Sequence, residues 1–478
     1  MGDNKKTFDI PKEQELHIFL TEENPEITIK LEQGKAEIEG IELPENIEKT
    51  FTSKNLIIYC WENSKVTLSG SKNDSYVSGR NKDTMREYIV AHYNITQLRF
   101  AALTSNQIGP RVLITGSNNT GKTAFCHMML NYSLKLGWTP IYCDLDLDNE
   151  ISIPGSIAAT VIDHTVPNDF LIDNSIVLYN GSKKENINYY LYESQICEIA
   201  DICKKKMNYD LVTWKKKMNL IKENDNNQNK ENMTEENEIY NKNYYVNCEQ
   251  PTIASSGIII HCPFIDSSMK EKNIYNTIIK EFDVNLVYVI DNEKLSLDIA
   301  NYCEKEQDKK ISVILLSKLS GLEQNSNSKE IIDQNKITAY FKGPFQNFKI
   351  NEIKVNLSTY KLLQVTSTSV TQSVLPIGQS SDLTLILKQY TIDDKNLLNK
   401  IVAIISLDEK SIDELDSNFD KNTRSYKYVD LFAKSPVSFF AIINKIDKKN
   451  NTITICGPCI QLVHKYLLVG DLTQQLYK

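Results

Sequence analysis

The 478-residue sequence predicts an α/β P-loop NTPase domain built on a parallel sheet, with a small β-domain before it and a β-rich α/β domain after it. Three observations predict this. From residue 105 to 345, apolar strand-like runs alternate with helical segments, as in a parallel sheet covered on both faces. One run leads into Gly116-Ser-Asn-Asn-Thr-Gly121-Lys122-Thr123, a match to G-x-x-x-x-G-K-[ST] between a strand and a helix. On either side, residues 1–104 and 346–478 carry short alternating segments punctuated by turn residues.

In the first domain, Glu15–Leu20, Glu26–Leu31, Ala36–Glu39 and Lys54–Trp61 read as strands, parted by Gln33-Gly34, Glu39-Gly40 and Asn63-Ser64. Residues 82–104 read as a helix with apolar spacing at Tyr88, Ile89, Tyr93 and Leu98. The central strands are Arg111–Thr115, Pro140–Leu145, Gly257–His261, Leu286–Ile290 and Ile311–Leu316. Residues 221–244 are rich in Asn, Glu and Lys with almost nothing apolar, and read as a disordered insertion without function. The last domain has candidate strands at Lys349–Val355, Leu383–Leu387, Ile401–Ile405 and Phe439–Ile443, and residues 407–428 read as a charged loop.

Hydrophobic residues make up 41%, which excludes wholesale disorder, and the net charge of −8 excludes a protein that coats nucleic acid with its whole surface. A local basic groove remains compatible with that charge. Five cations are arginine (Arg80, Arg86, Arg99, Arg111, Arg424) and the other 49 are lysine, which lacks the planar fork that grips phosphate. The ten cysteines lie scattered in apolar stretches, as reduced core thiols do. Cys456 and Cys459 form the one close pair, but they follow a strand-like run instead of opening a helix, which argues against redox chemistry, and no second pair supports zinc. The polar N-terminus is no signal peptide, Lys6 breaks the myristoylation pattern, and no apolar run approaches the ~18 residues of a membrane span. A soluble protein of cytosol or nucleus is expected.

The chemistry centres on the glycine-rich loop. Main-chain amides across Gly116, Ser117, Asn118, Asn119, Thr120, Gly121, Lys122, Thr123 and Ala124 are expected to close around the phosphates of ATP. Lys122 would reach the β- and γ-phosphates and the Thr123 hydroxyl would bind Mg²⁺. The next strand ends in Asp144-Leu-Asp146-Leu-Asp148; an acid here would hold Mg²⁺ or take a proton from an attacking hydroxyl, with a solvated loop as the plain alternative. Asp291 is either a metal-shell carboxylate or, the favoured reading, a helix N-cap. His261 reads as a satisfied histidine, and His127 has no evident partner.

A set of segments in order resembles the Clp-type RNA 5′-hydroxyl kinases, a family that includes the ATP-binding subunit of the pre-mRNA cleavage factor. They are Ala36–Leu43, the phosphate loop and helix from Gly116 to Gly137, Ser152–Gly155, Ser256–Phe264, Leu315–Gly321, Tyr340–Gly343 and Val374–Gly378. The resemblance implies Asp146 as catalytic acid–base, since it lies 146 − 122 = 24 residues past the loop lysine, as in the family. It further implies adenosine contacts from Glu15 and Lys54, a nuclear location, and RNA 5′ ends and a cleavage-factor scaffold subunit as partners; some members also associate with the tRNA-splicing endonuclease. Two departures touch RNA contacts: Asn149 stands at a family glutamine and Phe264 at a family tryptophan. The third is the lid, about residues 320–340, where active members carry arginines. This chain has none between Arg111 and Arg424, leaving Lys318, Lys329 and Lys336 as point charges. A kinase, or an ATP-bound structural subunit without turnover, both follow.

Overall fold

The structure, a computed structural model, describes the chain except for residues 1–3, 21–25, 53–54, 71–73, 149–150, 166–174, 183–186, 229–250, 266–268, 306–310, 323–325, 344–346, 369–383, 393–396, 421–422, 427–428 and 475–478. Lys54, Asn149, residues 229–244 and Val374–Gly378 therefore lie outside the described residues.

The chain opens with β1 (Asn4–Ile10), β2 (Gln14–Phe19), β3 (Glu26–Gln33), β4 (Ala36–Ile38), β5 (Ile41–Glu42), β6 (Glu48–Thr52), β7 (Leu56–Cys60), β8 (Ser64–Gly70) and β9 (Asp74–Ser78). Next come α1 (Lys82–Ser105), β10 (Arg111–Gly116), α2 (Lys122–Lys135), β11 (Ile141–Asp144), β12 (Ser156–Val161), β13 (Ile176–Tyr179), α3 (Tyr189–Gln228) and α4 (Ile253–Ser256). Then follow β14 (Ile258–His261), α5 (Met269–Glu281), β15 (Leu286–Ile290), α6 (Glu293–Lys305), β16 (Ser312–Leu316) and α7 (Ser326–Lys342). The final stretch holds β17 (Asn351–Asn356), β18 (Lys361–Thr368), β19 (Thr384–Gln389), β20 (Lys400–Ile405), α8 (Glu409–Ser417), β21 (Phe419–Asp420), β22 (Ser425–Tyr426), α9 (Val429–Ala433), β23 (Val437–Asp447), β24 (Thr452–Gly457) and β25 (Tyr466–Thr473). Two compact units emerge: Met1–Cys143 with Thr160–Asn168 and Ala200–Ile332, and Asp144–Ala159 with Asp169–Ile199 and Asp333–Lys478.

In the first unit, β1-β8-β3-β6 and β5-β4-β7-β2-β9 form two antiparallel sheets. Alternation does the work: Ile27, Ile29 and Leu31 of β3 point into one core with Leu16, Ile18, Ile58 and Val66. Beyond them, β11-β14-β10-β15-β16 form a sheet in which β14 and β15 run parallel to β10. Burial on both faces explains their unbroken apolar runs. Helix α1 departs from the sequence reading. Tyr88 is buried, but Tyr93 and Leu98 face solvent; the inward stripe is Met85, Tyr88, Ala91, Ile95, Arg99 and Ala102. A charged residue in that stripe is tolerated because the Arg99 guanidinium donates to the Ser256 carbonyl (2.8 Å) and to the Ser133 hydroxyl.

The N-terminal β-domain grips the flank of α2. Asn131 Nδ2 donates to the Glu39 carbonyl (2.9 Å), Tyr132 donates to the Glu37 carboxylate, and Lys135 meets Glu42 at 2.8 Å. His127 Nδ1 lies 2.7 Å from Glu39 Oε2, so His127 has a partner that the sequence reading did not find. The Gly40 backbone (φ 81°) lets the turn sit down on the helix: a Cβ there would lie 3.1 Å from Asn131 Cβ.

In the second unit, β12 pairs antiparallel with β13, and the nine-stranded sheet runs β17-β24-β23-β20-β25-β18-β19-β22-β21. Tyr179 of β13 packs edge-on against Phe440 of β23 (5.3 Å), and the Asp471 N–H donates to the Gly181 carbonyl (2.7 Å), so β13 and the turn after it pack on the C-terminal sheet. Two sequence expectations are corrected. Residues 407–428 contain α8, capped by Asp408 Oδ1 on the Ser411 N–H (2.9 Å) and anchored by buried Leu415, followed by the short strands β21 and β22. Residues 221–228 continue α3, because adding Glu, Lys, Asn and Gln to a helix already nucleated costs little. Cys456 ends inside β24 and Cys459 follows it; burial pushes both thiols up, consistent with inert sulfur.

Candidate nucleotide-binding and phosphoryl-transfer site

The phosphate loop is set by three backbone peculiarities. Gly116 (φ 144°) runs so close to β15 that a Cβ would stand 2.2 Å from the Ile290 carbonyl oxygen. Asn119 (φ 56°) and Gly121 (φ 86°) take left-handed conformations that turn the chain back on itself. The loop is braced from both sides. The Ser117 N–H and hydroxyl donate to the carbonyls of Ile290 (3.2 Å) and Asp291 (3.0 Å), and the Thr120 hydroxyl donates to the Ser117 carbonyl (2.9 Å). Helix α2 then opens with Gly121 at its N-cap, no side-chain cap and no acid in its first turn. Its first amides and dipole are thus open to an anion, with no side-chain cap at the helix start. Lys122 is buried and its Nζ donates to the Ser117 carbonyl at 2.6 Å, folded over the loop it would serve.

The acids after β11 form a ladder. Asp144 is fully buried and its Oδ1 accepts the Asp146 N–H (3.0 Å); Asp146 Oδ1 accepts the Asp148 N–H (3.2 Å). The Tyr192 hydroxyl pins this turn by donating to the Leu145 carbonyl (2.6 Å), and Lys336 Nζ donates to the Asp148 carbonyl (3.3 Å). Asp146 is half-buried, the Asp144 carboxylate being the inner of the two. The Ser152–Gly155 motif closes the same turn: the Gly155 N–H donates to the Leu147 carbonyl (2.6 Å). Among the described residues no group of three His, Cys, Asp or Glu side chains is placed to hold a metal.

Around Glu15 the N-terminal domain meets the segment after β16. Glu15 is fully buried; Oε1 accepts the Asn81 N–H (2.9 Å) and lies 3.1 Å from His17 Nε2, while Oε2 has no hydrogen bond. Asn81 clasps Ser320 reciprocally, Nδ2 to its carbonyl (2.9 Å) and Oδ1 from its N–H (3.1 Å). The Leu319 N–H donates to the Thr120 carbonyl (3.3 Å), tying the same segment to the phosphate loop. Gly321 (φ 102°) abuts His17: a Cβ would lie 2.2 Å from its Nδ1. His17, Asn81 and Ser320 were not legible as site residues, since nothing local announces a partner 239 positions away.

The N-cap reading of Asp291 is corrected: its carbonyl braces the phosphate loop through Ser117. Its φ of 53° takes it out of the helix, and Asn292 Oδ1 instead accepts the Leu295 N–H (2.9 Å) ahead of α6. Asp291 Oδ2 lies 4.0 Å from the exposed Lys318 Nζ. His261 is buried at the end of β14. Phe264 is half-buried in a loop held by Tyr275, whose hydroxyl accepts the Ile265 N–H (3.0 Å). Lys329 lies on α7, its side chain outside the described residues.

Family models match nearly end to end. The mRNA cleavage and polyadenylation factor CLP1 P-loop covers residues 116–217 and 228–343, the N-terminal beta-sandwich domain of polyadenylation factor covers 9–102, and the pre-mRNA cleavage complex II protein Clp1 covers 351–475. The chain belongs to the Clp1 family. Among curated relatives, the polyribonucleotide 5′-hydroxyl-kinase Clp1 of Danio rerio is 26% identical over 483 residues, spanning 98% of this chain and 94% of its own. The Homo sapiens protein of the same name is 25% identical over 486 residues, spanning 98% and 97%. A solved structure describing the extended interface between Pcf11p and Clp1p superposes with a TM-score of 0.72 at 21% identity over 99% of both chains. The wild-type Clp1p–Pcf11p complex gives 0.71 at 20% identity, covering 99% of this chain and 98% of that one. These share the fold described above.

Proposed function

We propose that this Clp1-family chain is an ATP-dependent polyribonucleotide 5′-hydroxyl kinase of the pre-mRNA 3′-end processing machinery. The observation that carries the chemistry is the uncapped start of α2 behind a braced, glycine-shaped loop with Lys122 buried at its centre. The loop amides from Gly116 to Ala124 bind the triphosphate, with Glu15 and Lys54 receiving the adenosine. Lys122 leaves the Ser117 carbonyl for the β- and γ-phosphates. Thr123 and Asp146 would hold Mg²⁺, which supplies charge neutralisation on the phosphate oxygens. Asp146 accepts the proton of the RNA 5′-hydroxyl as that oxygen attacks the γ-phosphorus; the bond to the β-phosphate oxygen breaks and ADP leaves. Lys318, Lys329 and Lys336 spread the developing charge, and Asn149 and Phe264 contact the RNA end.

The absence of arginine from residues 112 to 423 favours a second reading, in which ATP is held without turnover as a structural ligand. An arginine finger supplies ~10³–10⁵ in rate, and a lysine does not reproduce its fork. One assay separates the two. Purified protein with γ-labelled ATP and a 5′-hydroxyl oligoribonucleotide is expected to yield labelled RNA, and Asp146→Asn to abolish the label. Wild-type protein that retains intact ATP but labels no RNA refutes the kinase and leaves the structural subunit. By the same family reasoning we infer nuclear action, docking of a Pcf11-type scaffold and association with the tRNA-splicing endonuclease; affinity purification from nuclear extract tests all three.

A further inference from the structure

The chain carries a net charge of −8, yet one helix gathers cations. Between residues 204 and 217, α3 bears six lysines in two triplets, Lys204-Lys205-Lys206 and Lys215-Lys216-Lys217, against one acid, Asp210. Asp210 is engaged elsewhere, its Oδ2 accepting the Ala254 N–H at 2.9 Å. The triplets are offset by 11 residues, about three helical turns, so they stack on the same meridians about 16 Å apart. The opposite face buries Ile199, Ala200, Cys203 and Met207 and fixes the helix. Lys205, Lys206, Lys216 and Lys217 face solvent. Between them, on the same face, Tyr209 is 72% exposed and Val212 50% exposed. Lys205 pairs at the surface with Asp201 at 2.5 Å, an exposed ion pair of a kind that salt and competing phosphate displace readily.

We infer that this face of α3 is a second RNA-binding surface, which holds the body of a single-stranded RNA through its phosphates with Tyr209 stacking on a base. Two clusters of ammonium groups flanking an exposed ring match a polyanion that carries aromatic faces between its charges. An anionic membrane surface would call for a broader apolar band than Tyr209 and Val212 supply. Lysine point charges read phosphate without reading sequence, so the surface is non-specific and salt-sensitive. The inference extends the RNA kinase reading, supplying grip on RNA where the phosphate-transfer residues require only a 5′ end.

The test uses full-length protein and a circular single-stranded RNA, which has no 5′ end to enter a kinase site. Wild-type protein is expected to bind it, and the combined Lys205→Glu, Lys206→Glu, Lys216→Glu, Lys217→Glu variant to bind at least tenfold more weakly. The slope of log affinity against log salt should fall by about 0.7 per lysine lost. The four Lys→Arg changes should retain binding, Tyr209→Ala should weaken it, and unchanged thermal melting of a four-Gln variant with the same loss guards against misfolding. Equal binding of wild type and Glu variant overturns the inference, as does a wild type that ignores circular RNA or instead retains only polyglutamate, which marks a protein-docking face. Labelling of a short 5′-hydroxyl dinucleotide, run in parallel, reports the kinase reading separately and is expected to be the same in wild type and variant.

Discussion

Gly116 and Gly321 are the residues where the site tolerates least. A Cβ at Gly116 collides with the Ile290 carbonyl, part of a rigid strand, and its φ of 144° is closed to side chains. Gly116→Ala is expected to cost roughly 1–3 kcal/mol and to abolish the upward shift in melting temperature that ATP gives the wild type. Gly321→Ala drives its methyl into buried His17; the melting temperature should fall, and His17→Ala in the same chain should recover part of it, as a double-mutant cycle would read. Glu37 yields a pH prediction. Burial pushes its carboxyl above the usual range, against the opposing hydrogen bonds of Tyr132 and Trp61 and the charge of Lys135. The folded state therefore holds this proton more tightly than the unfolded chain, and stability drops as pH rises from the unfolded value through the raised one. Glu37→Gln, which still accepts from Tyr132, should melt higher than wild type at pH 7.5, with the advantage vanishing near pH 4. The phosphate loop was legible because its glycines, lysine and threonine sit within eight consecutive positions. Glu39 as partner of His127, and Asn81 as partner of Ser320, were not, because tertiary packing alone joins them.

At the scale of elements, α1 is the strut that ties the sheet to α2 and α4. Arg99 does this with a guanidinium that burial pushes down to about 9, donating to Ser133 and Ser256. Arg99→Ala removes the donor from a buried carbonyl and opens a void, and should cost about 3 kcal/mol in urea denaturation. Arg99→Lys should recover only part, for want of the fork. The same helix shows why periodicity alone misled. Tyr93 and Leu98 are large and apolar but exposed, whereas small Ala91 and charged Arg99 face the core. Strands were read well where alternation or an unbroken apolar run marked them, as in β3 and β15. Helix α8 was hidden by its charge, since its identity rests on one cap and one buried leucine.

For the whole molecule, three family models span residues 9 to 475, while the outline of the two compact units follows packing and not chain order. That division was beyond the sequence, because residues 144–159 group with a stretch that begins only at Asp333. The lack of arginine from residues 112 to 423 bears on the rate of the proposed kinase. Lys336→Ala is expected to lower the kinase rate about tenfold or more with little change in ATP affinity, and Lys336→Arg to raise it, in single-turnover labelling. Finally, the turn at Glu39 and Gly40 seats against α2, the helix whose first amides would meet the triphosphate. A truncated gene starting at residue 105 would strip His127, Tyr132 and Lys135 of their acidic partners and lay bare the flank on which that turn rests. The leading sandwich is thus built into the side of that helix, and the two are expected to stay folded only when expressed and purified as one piece.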